Sequence, residues 1–137
     1  MAINPEVKNM MTPKHKKTIG EFISELFNSR TQVHIYHLNT SSFAAHKALN
    51  EYYDGIIGLV DSIAESWQGK YGIIKGYSKT ATISETGSPL AYLKGIRDCV
   101  DGCRYTTFSK EDTNLQNELD NVVTLLDSTI YKLTFLS

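Results

Sequence analysis

The residues best equipped for chemistry lie between positions 34 and 65, in the stretch HIYHLNTSSFAAHKALNEYYDGIIGLVDSIAE. Two imidazoles, His34 and His46, are followed by two carboxylates, Asp61 and Glu65. Together they offer a mixed nitrogen and oxygen shell. Such a shell suits iron(II), and would also accept zinc or manganese. A lone histidine on an apolar face is more often a satisfied core residue. A D-x-x-x-E pair alone is more often a solvated helix face. Only the combination points to a metal.

Spacing then restricts how these groups can meet. Read as one helix, Asp61 and Glu65 are four residues apart and share a face one turn apart, as do His46 and Asn50. The fifteen residues from His46 to Asp61 span about 22 Å of helix. The two pairs therefore cannot meet on one ion within one helix. A second copy packed antiparallel across a two-fold axis brings His46 opposite Glu65 and Asn50 opposite Asp61 in a single register. The axis falls between Gly55 and Ile56, and Gly55 and Gly58 flank the point of approach. Such an isologous contact holds two equivalent pockets, each built from both chains.

The intervals between His34, His46, Asp61 and Glu65 resemble the ferroxidase signature of the Dps family (DNA-binding proteins from starved cells). These are mini-ferritins of the ferritin-like superfamily. Phe43 precedes the second histidine, and Asp61-Ser-Ile-Ala-Glu65 is similar to the family's D-x-x-A-E. The sequence departs at Asn50, where the family usually has an acid, and at Ile35, where it often has Trp. The ending EDTNLQNELDNVVTLLDSTIYKLTFL also resembles the family's last helix. The likeness covers roughly residues 20 to 135 and reaches motif grade between 34 and 65.

The resemblance implies an all-α, ferritin-like four-helix bundle with a long crossover between helices two and three. It implies oxidation of iron(II), often by hydrogen peroxide, and storage of ferric mineral in a hollow dodecamer of two-fold dimers. His34 and His46 of one chain would share the metal with Asp61 and Glu65 of the other. Glu65 would bridge two irons and Asp61 would be a terminal ligand. Asn50 would be a weak, uncharged ligand. His37 matches no family position; a supporting group behind the ligands, an extra ligand and neither all stay open. The rival expectation is a non-catalytic structural or DNA-binding module that keeps the fold and the dimer around a degenerate metal site.

Near the N-terminus Lys8, Lys14, Lys16 and Lys17, with His15, stand against the single acid Glu6. A basic arm over residues 1–12, ahead of a bundle over 13–137, would neutralise phosphates and bind DNA without reading its sequence. Some members of the resembling family use a lysine-bearing tail in this way. The plainer reading is a solvated terminus. The whole chain has 137 residues, 41% hydrophobic and 21% charged, with a formal net charge of -1. That length supports one domain with its own core, and the charge balance demands neither nucleic acid nor membrane. No apolar run approaches the ~20 residues of a membrane span, and the opening residues lack a signal peptide's apolar stretch. A soluble, cytoplasmic protein is expected, with Cys99 and Cys103 reduced and structural. The sequence contains no G-x-S-x-G, P-loop, H-E-x-x-H or E-x-x-H motif. Nucleophilic hydrolysis and an intrachain carboxylate site of true ferritin type are therefore disfavoured.

Four helices must position these groups. The first is expected to begin at Thr12-Pro13, with Ile19, Phe22, Ile23, Leu26, Phe27 and Val33 as its apolar stripe. Asn39 to Ser42 is a stop and a fresh cap. The second helix should run over about 43–69, with Phe43, Leu49, Tyr53, Ile56, Ile57, Val60, Ile63, Ala64 and Trp67 inward. His46, Asp61 and Glu65 are expected among these apolar neighbours. Residues 68–87 read as a long connection with a short helical turn near Tyr71–Tyr77. Ser88-Pro89 opens a third helix, Thr106–Ser109 breaks it, and a fourth runs from about 111 to 135.

Overall fold

The computed structural model describes residues 16–79 and 81–137. Those residues form four helices: α1 (Ile19–Asn39), α2 (Phe43–Tyr71), α3 (Pro89–Cys103) and α4 (Thr113–Phe135). Local chemistry explains where three of them begin. Thr18 accepts from the Glu21 amide while Glu21 reaches back to the Thr18 amide, a reciprocal cap for α1. Ser42 and Ser88 cap α2 and α3 through their hydroxyls, and Pro89 occupies the first turn of α3. The expected start at Thr12-Pro13 lies outside the described residues; the helix described begins at Ile19, and residues 16–18 precede it without helical form.

The helices pack as a bundle. α1 touches α2 and α3, α4 touches the same two, and the pairs α1/α4 and α2/α3 are the diagonals. Arg97 pairs with Asp127 and Arg104 with Asp120, so α3 and α4 run antiparallel. Lys132 pairs with Glu51, while Ser62 and Ser66 both donate to Glu118, so α2 and α4 are antiparallel too. The core is built from one stripe of each helix, with Phe22, Leu26, Leu49, Ile56, Val60, Leu93, Val100, Leu119 and Leu126 fully buried. Each such side chain contributes roughly 1.5–3 kcal/mol of transfer free energy. One polar pair interrupts it. The Ser29 hydroxyl donates to the Leu26 carbonyl and accepts from Tyr52, at 2.7 and 2.8 Å. Both groups are thus satisfied, as burial demands. Burial also pushes the Tyr52 phenol well above its ordinary range.

Two expected core positions differ. Phe43 is 75% exposed and Phe27 40% exposed. Phe43 is the first residue of α2, and its ring carries the Lys47 ammonium 5.8 Å from its centroid.

Residues 72–88 connect α2 to α3 and contain no helical turn among the described residues, contrary to the turn expected at Tyr71–Tyr77. The segment runs beside α1. A Cβ on Gly20 would lie 2.7 Å from the backbone of Gly76, so the approach there requires glycine. Further along, the Ser78 amide donates to Ser24 Oγ at 2.9 Å, and Gln32 exchanges two 2.8 Å bonds with the Ser84 backbone. Asn39 then reaches the Glu85 carbonyl at 3.3 Å. At the opposite end of the bundle from Asn39, the Asp112 carboxylate is 1% exposed and engages Lys70 and Tyr71. Asp112 therefore fastens α2 to α4 rather than capping α4, which has no side-chain cap. Among the described residues no helix is long and apolar enough to cross a membrane.

Candidate metal site

The corner between α1 and α2 is set by three residues. The Thr40 amide closes α1 on the Tyr36 carbonyl, Thr40 Oγ1 accepts from the Ser42 amide at 3.2 Å, and Ser42 Oγ accepts from Ala45 at 3.2 Å. So tight a reversal lays the last turn of α1 against the first turn of α2. His37 and His46 meet there. His37 Nδ1 donates to the His46 carbonyl at 2.8 Å, and His46 Nδ1 donates to the His37 carbonyl at 3.0 Å. Their rings stack with centroids 3.7 Å apart and planes 22° from parallel. A carbonyl can only accept, so both Nδ1 atoms carry protons. In the neutral ring, Nε2 then keeps its lone pair, which is the usual arrangement behind a metal-bound imidazole.

His34 lies one turn earlier on α1. Its ring stacks on Tyr53 of α2, 4.1 Å between centroids and 13° from parallel, and meets His37 edge-on at 5.8 Å. Neither of its ring nitrogens has a hydrogen-bond partner among the described residues. Tyr53 donates to Asn50 Oδ1 at 2.7 Å, and Asn50 Nδ2 donates to Asp54 Oδ2 at 2.9 Å. The Asn50 amide is thus oriented from both sides within its own chain. His46 opens onto a groove of about 350 Å³ lined by Phe43, Lys47, Asn50 and Glu51.

Three of the four histidines therefore share one corner, joined by Tyr53. The carboxylates do not join them. Asp61 and Glu65 lie further along α2, both exposed, and neither has an ion pair or hydrogen bond among the described residues. This corrects the expectation of an apolar setting for them. They alternate along α2 with the buried ridge of Ile56, Val60 and Ile63 but point away from it, so within one chain they are solvated. Among the described residues of one chain, no group of three or more His, Cys, Asp or Glu side chains is placed to hold a metal ion.

Gly55 and Gly58 of α2 also part company. A Cβ on Gly55 would come within 3.3 Å of Leu125, so this glycine admits α4 of its own chain; Gly58 has nothing within 4 Å and faces outward. Of the basic residues, Lys8 and Lys14 lie outside the described residues, while Lys16 is exposed and Lys17 partly buried just before α1. Sequence reasoning missed Tyr53, Asp54 and the His37–His46 exchange. The i, i+3 spacing of His34 and His37 was the one available signal, since it puts both on a single helix face.

Fold and corner together define a helical-bundle protein with an imidazole-rich elbow between its first two helices. Residues 37–133 match the model described as Family of unknown function (DUF5856), and the chain belongs to that family. The matched span opens on His37 and takes in α2, α3 and nearly all of α4. No curated protein and no solved structure matches the chain.

Proposed function

We propose that two copies of this chain pair through the outer face of α2 and oxidise iron(II) at sites shared between them, as a Dps-like iron-storage protein of ferritin-like fold. One observation carries the reading. The first turn of α2 presents His46 with Nε2 free, and the same helix presents Asp61 and Glu65, exposed and unpartnered among the described residues, some four turns later. An antiparallel copy completes this arrangement by laying each acidic end over the other's histidine end. His34 adds a second imidazole, His37 braces His46, and the carboxylates favour ferric iron once it forms. The connection over 72–88 supports the ferritin-like part of the reading. It travels the length of α1, so that α2 and α3 point the same way, as a bundle with one crossover requires. The setting proposed is the cytoplasm, and assembly of dimers into a dodecameric shell follows the same likeness.

A second reading keeps the dimer and the metal but not the turnover. It is favoured by Asn50, whose carbonyl already accepts from Tyr53 and which brings no charge to the site. In that case the protein would be a structural module, with DNA as a partner of its basic N-terminal residues. Anaerobic titration with iron(II), followed by hydrogen peroxide, separates the two. Saturable binding followed by ferric absorbance supports the ferroxidase. Binding without oxidation supports the second reading, and no binding refutes both.

A further inference from the structure

We infer that Cys99 and Cys103 are a peroxide-oxidised dithiol that closes into an intrachain disulfide at the end of α3. The two thiols lie on one face of that helix, a turn apart and both unbridged. Helix geometry sets their Cα atoms about 6 Å apart, inside the range that a disulfide spans. Side-chain rotation and a small backbone shift must supply the rest. Position favours that shift: Cys103 is the last residue of α3, and the chain beyond it is a turn. There the Cys103 carbonyl accepts from the Thr106, Thr107 and Phe108 amides at 3.3, 3.0 and 3.1 Å.

The surroundings make the two sulfurs unequal. Cys103 is 4% exposed, and Cys99 is only partly covered. The Cys99 thiol hydrogen-bonds to Cys103 and, against the effect of burial, brings the Cys103 thiol down to about 7, helped by the Lys17 ammonium. The same bond holds the Cys99 thiol well above its ordinary range. The negative end of the helix opposes an anion at Cys103; the shared thiol proton and Lys17 offset it. One thiolate with a protonated neighbour is the arrangement that thiol oxidation uses, since the thiolate is the nucleophile.

The chemistry balances with hydrogen peroxide as the oxidant. The Cys103 thiolate attacks one peroxide oxygen, an S–O bond forms and the O–O bond breaks. The departing hydroxide takes a proton and becomes water, leaving a sulfenic acid on Cys103. The Cys99 sulfur then attacks that sulfur, the S–S bond forms, the S–O bond breaks, and the second water leaves with the Cys99 proton. Two thiols lose two electrons and one peroxide gains them.

The test treats the reduced full-length protein with hydrogen peroxide, then counts thiols in denaturant and weighs the intact chain. Paired loss of both thiols, a mass lower by two hydrogens, unchanged subunit number on a non-reducing gel and recovery with dithiothreitol are expected. Thiol loss should run a few-fold faster than for an ordinary cysteine peptide near neutral pH, the larger thiolate fraction outweighing its lower nucleophilicity. In Cys99→Ser the reaction should stop at a sulfenic acid that dimedone traps on Cys103, and in Cys103→Ser the fast phase should vanish. Disulfide-linked dimers, oxygen addition without thiol pairing in the wild type, or reaction no faster than the peptide would each overturn the inference. Because the readout is thiol state, it is independent of whether iron is oxidised.

Discussion

His37 and His46 each hydrogen-bond the other's main-chain carbonyl, 2.8 and 3.0 Å, with their rings stacked between the two helices. The exchange ties the last turn of α1 to the first turn of α2 and fixes the proton of each ring on Nδ1. A side chain outside the proposed ligand set thus sets the orientation of one within it.

Replacing His37 by Ala should cost twice. The lost bond and stack should lower stability by about 1–3 kcal/mol in urea unfolding. If His46 is a metal ligand, affinity should fall roughly 10- to 100-fold, as when a group behind a ligating histidine is removed. Calorimetric titration with iron(II) measures the second effect separately. Loss of stability with affinity unchanged would remove His46 from the proposed site.

The outward face of α2 can be probed at its second glycine. A Cβ at Gly58 meets nothing within 4 Å in its own chain, and in Gly58→Leu helix propensity should stabilise the fold by up to ~1 kcal/mol. A copy packed across that face would instead be pushed away. Light scattering should therefore show a smaller particle with undiminished helicity. Gly55→Leu is a poor probe by comparison, because the new side chain collides with Leu125 of α4 and disturbs the bundle directly.

Acid should loosen the bundle at the end away from the histidines. The Lys70 ammonium, and then the Tyr71 hydroxyl, hold the Asp112 carboxyl below the usual carboxylate range. The unfolded chain therefore binds this proton more readily than the native one, so stability rises with pH across the window. The contribution is present above the ordinary Asp value of about 3.9 and disappears as pH falls through the lowered native value. Asp112→Asn should lower the melting temperature at pH 7 and flatten its decline as pH falls below about 5. A decline as steep as the wild type's would place the acid-sensitive group elsewhere.

Much of this architecture could be read from local chemistry. Ser42 and Ser88-Pro89 mark helix starts because caps and first-turn proline act within four residues. The stripes of α3 and α4 follow because a regular period leaves one face to bury. The described start of α1 is set by Thr18 with Glu21, a complete capping box within four residues, while Thr12-Pro13 lies outside the described residues. Phe43 reads as part of the inward stripe of α2, but its position at the helix tip leaves it exposed. The candidate site was legible in its residue types but not in its wiring. The His37–His46 exchange depends on the angle of the corner at Thr40–Ser42. The latch of Asp112 on Lys70 and Tyr71 joins helix ends some forty residues apart in the chain.

The shared site is tested most directly by mixing two inactive chains. His46→Ala and Asp61→Ala should each abolish tight iron binding alone while keeping wild-type helicity. Co-expressed in equal amounts and assorting at random, they should recover about a quarter of the wild-type sites, because a pocket that takes its histidine from one chain and its acid from the other is intact in that fraction. Recovery near that level, read as bound iron per chain, is the expected result. No recovery from a mixture shown by native mass to contain hetero-dimers would mean that the two residues never serve one metal.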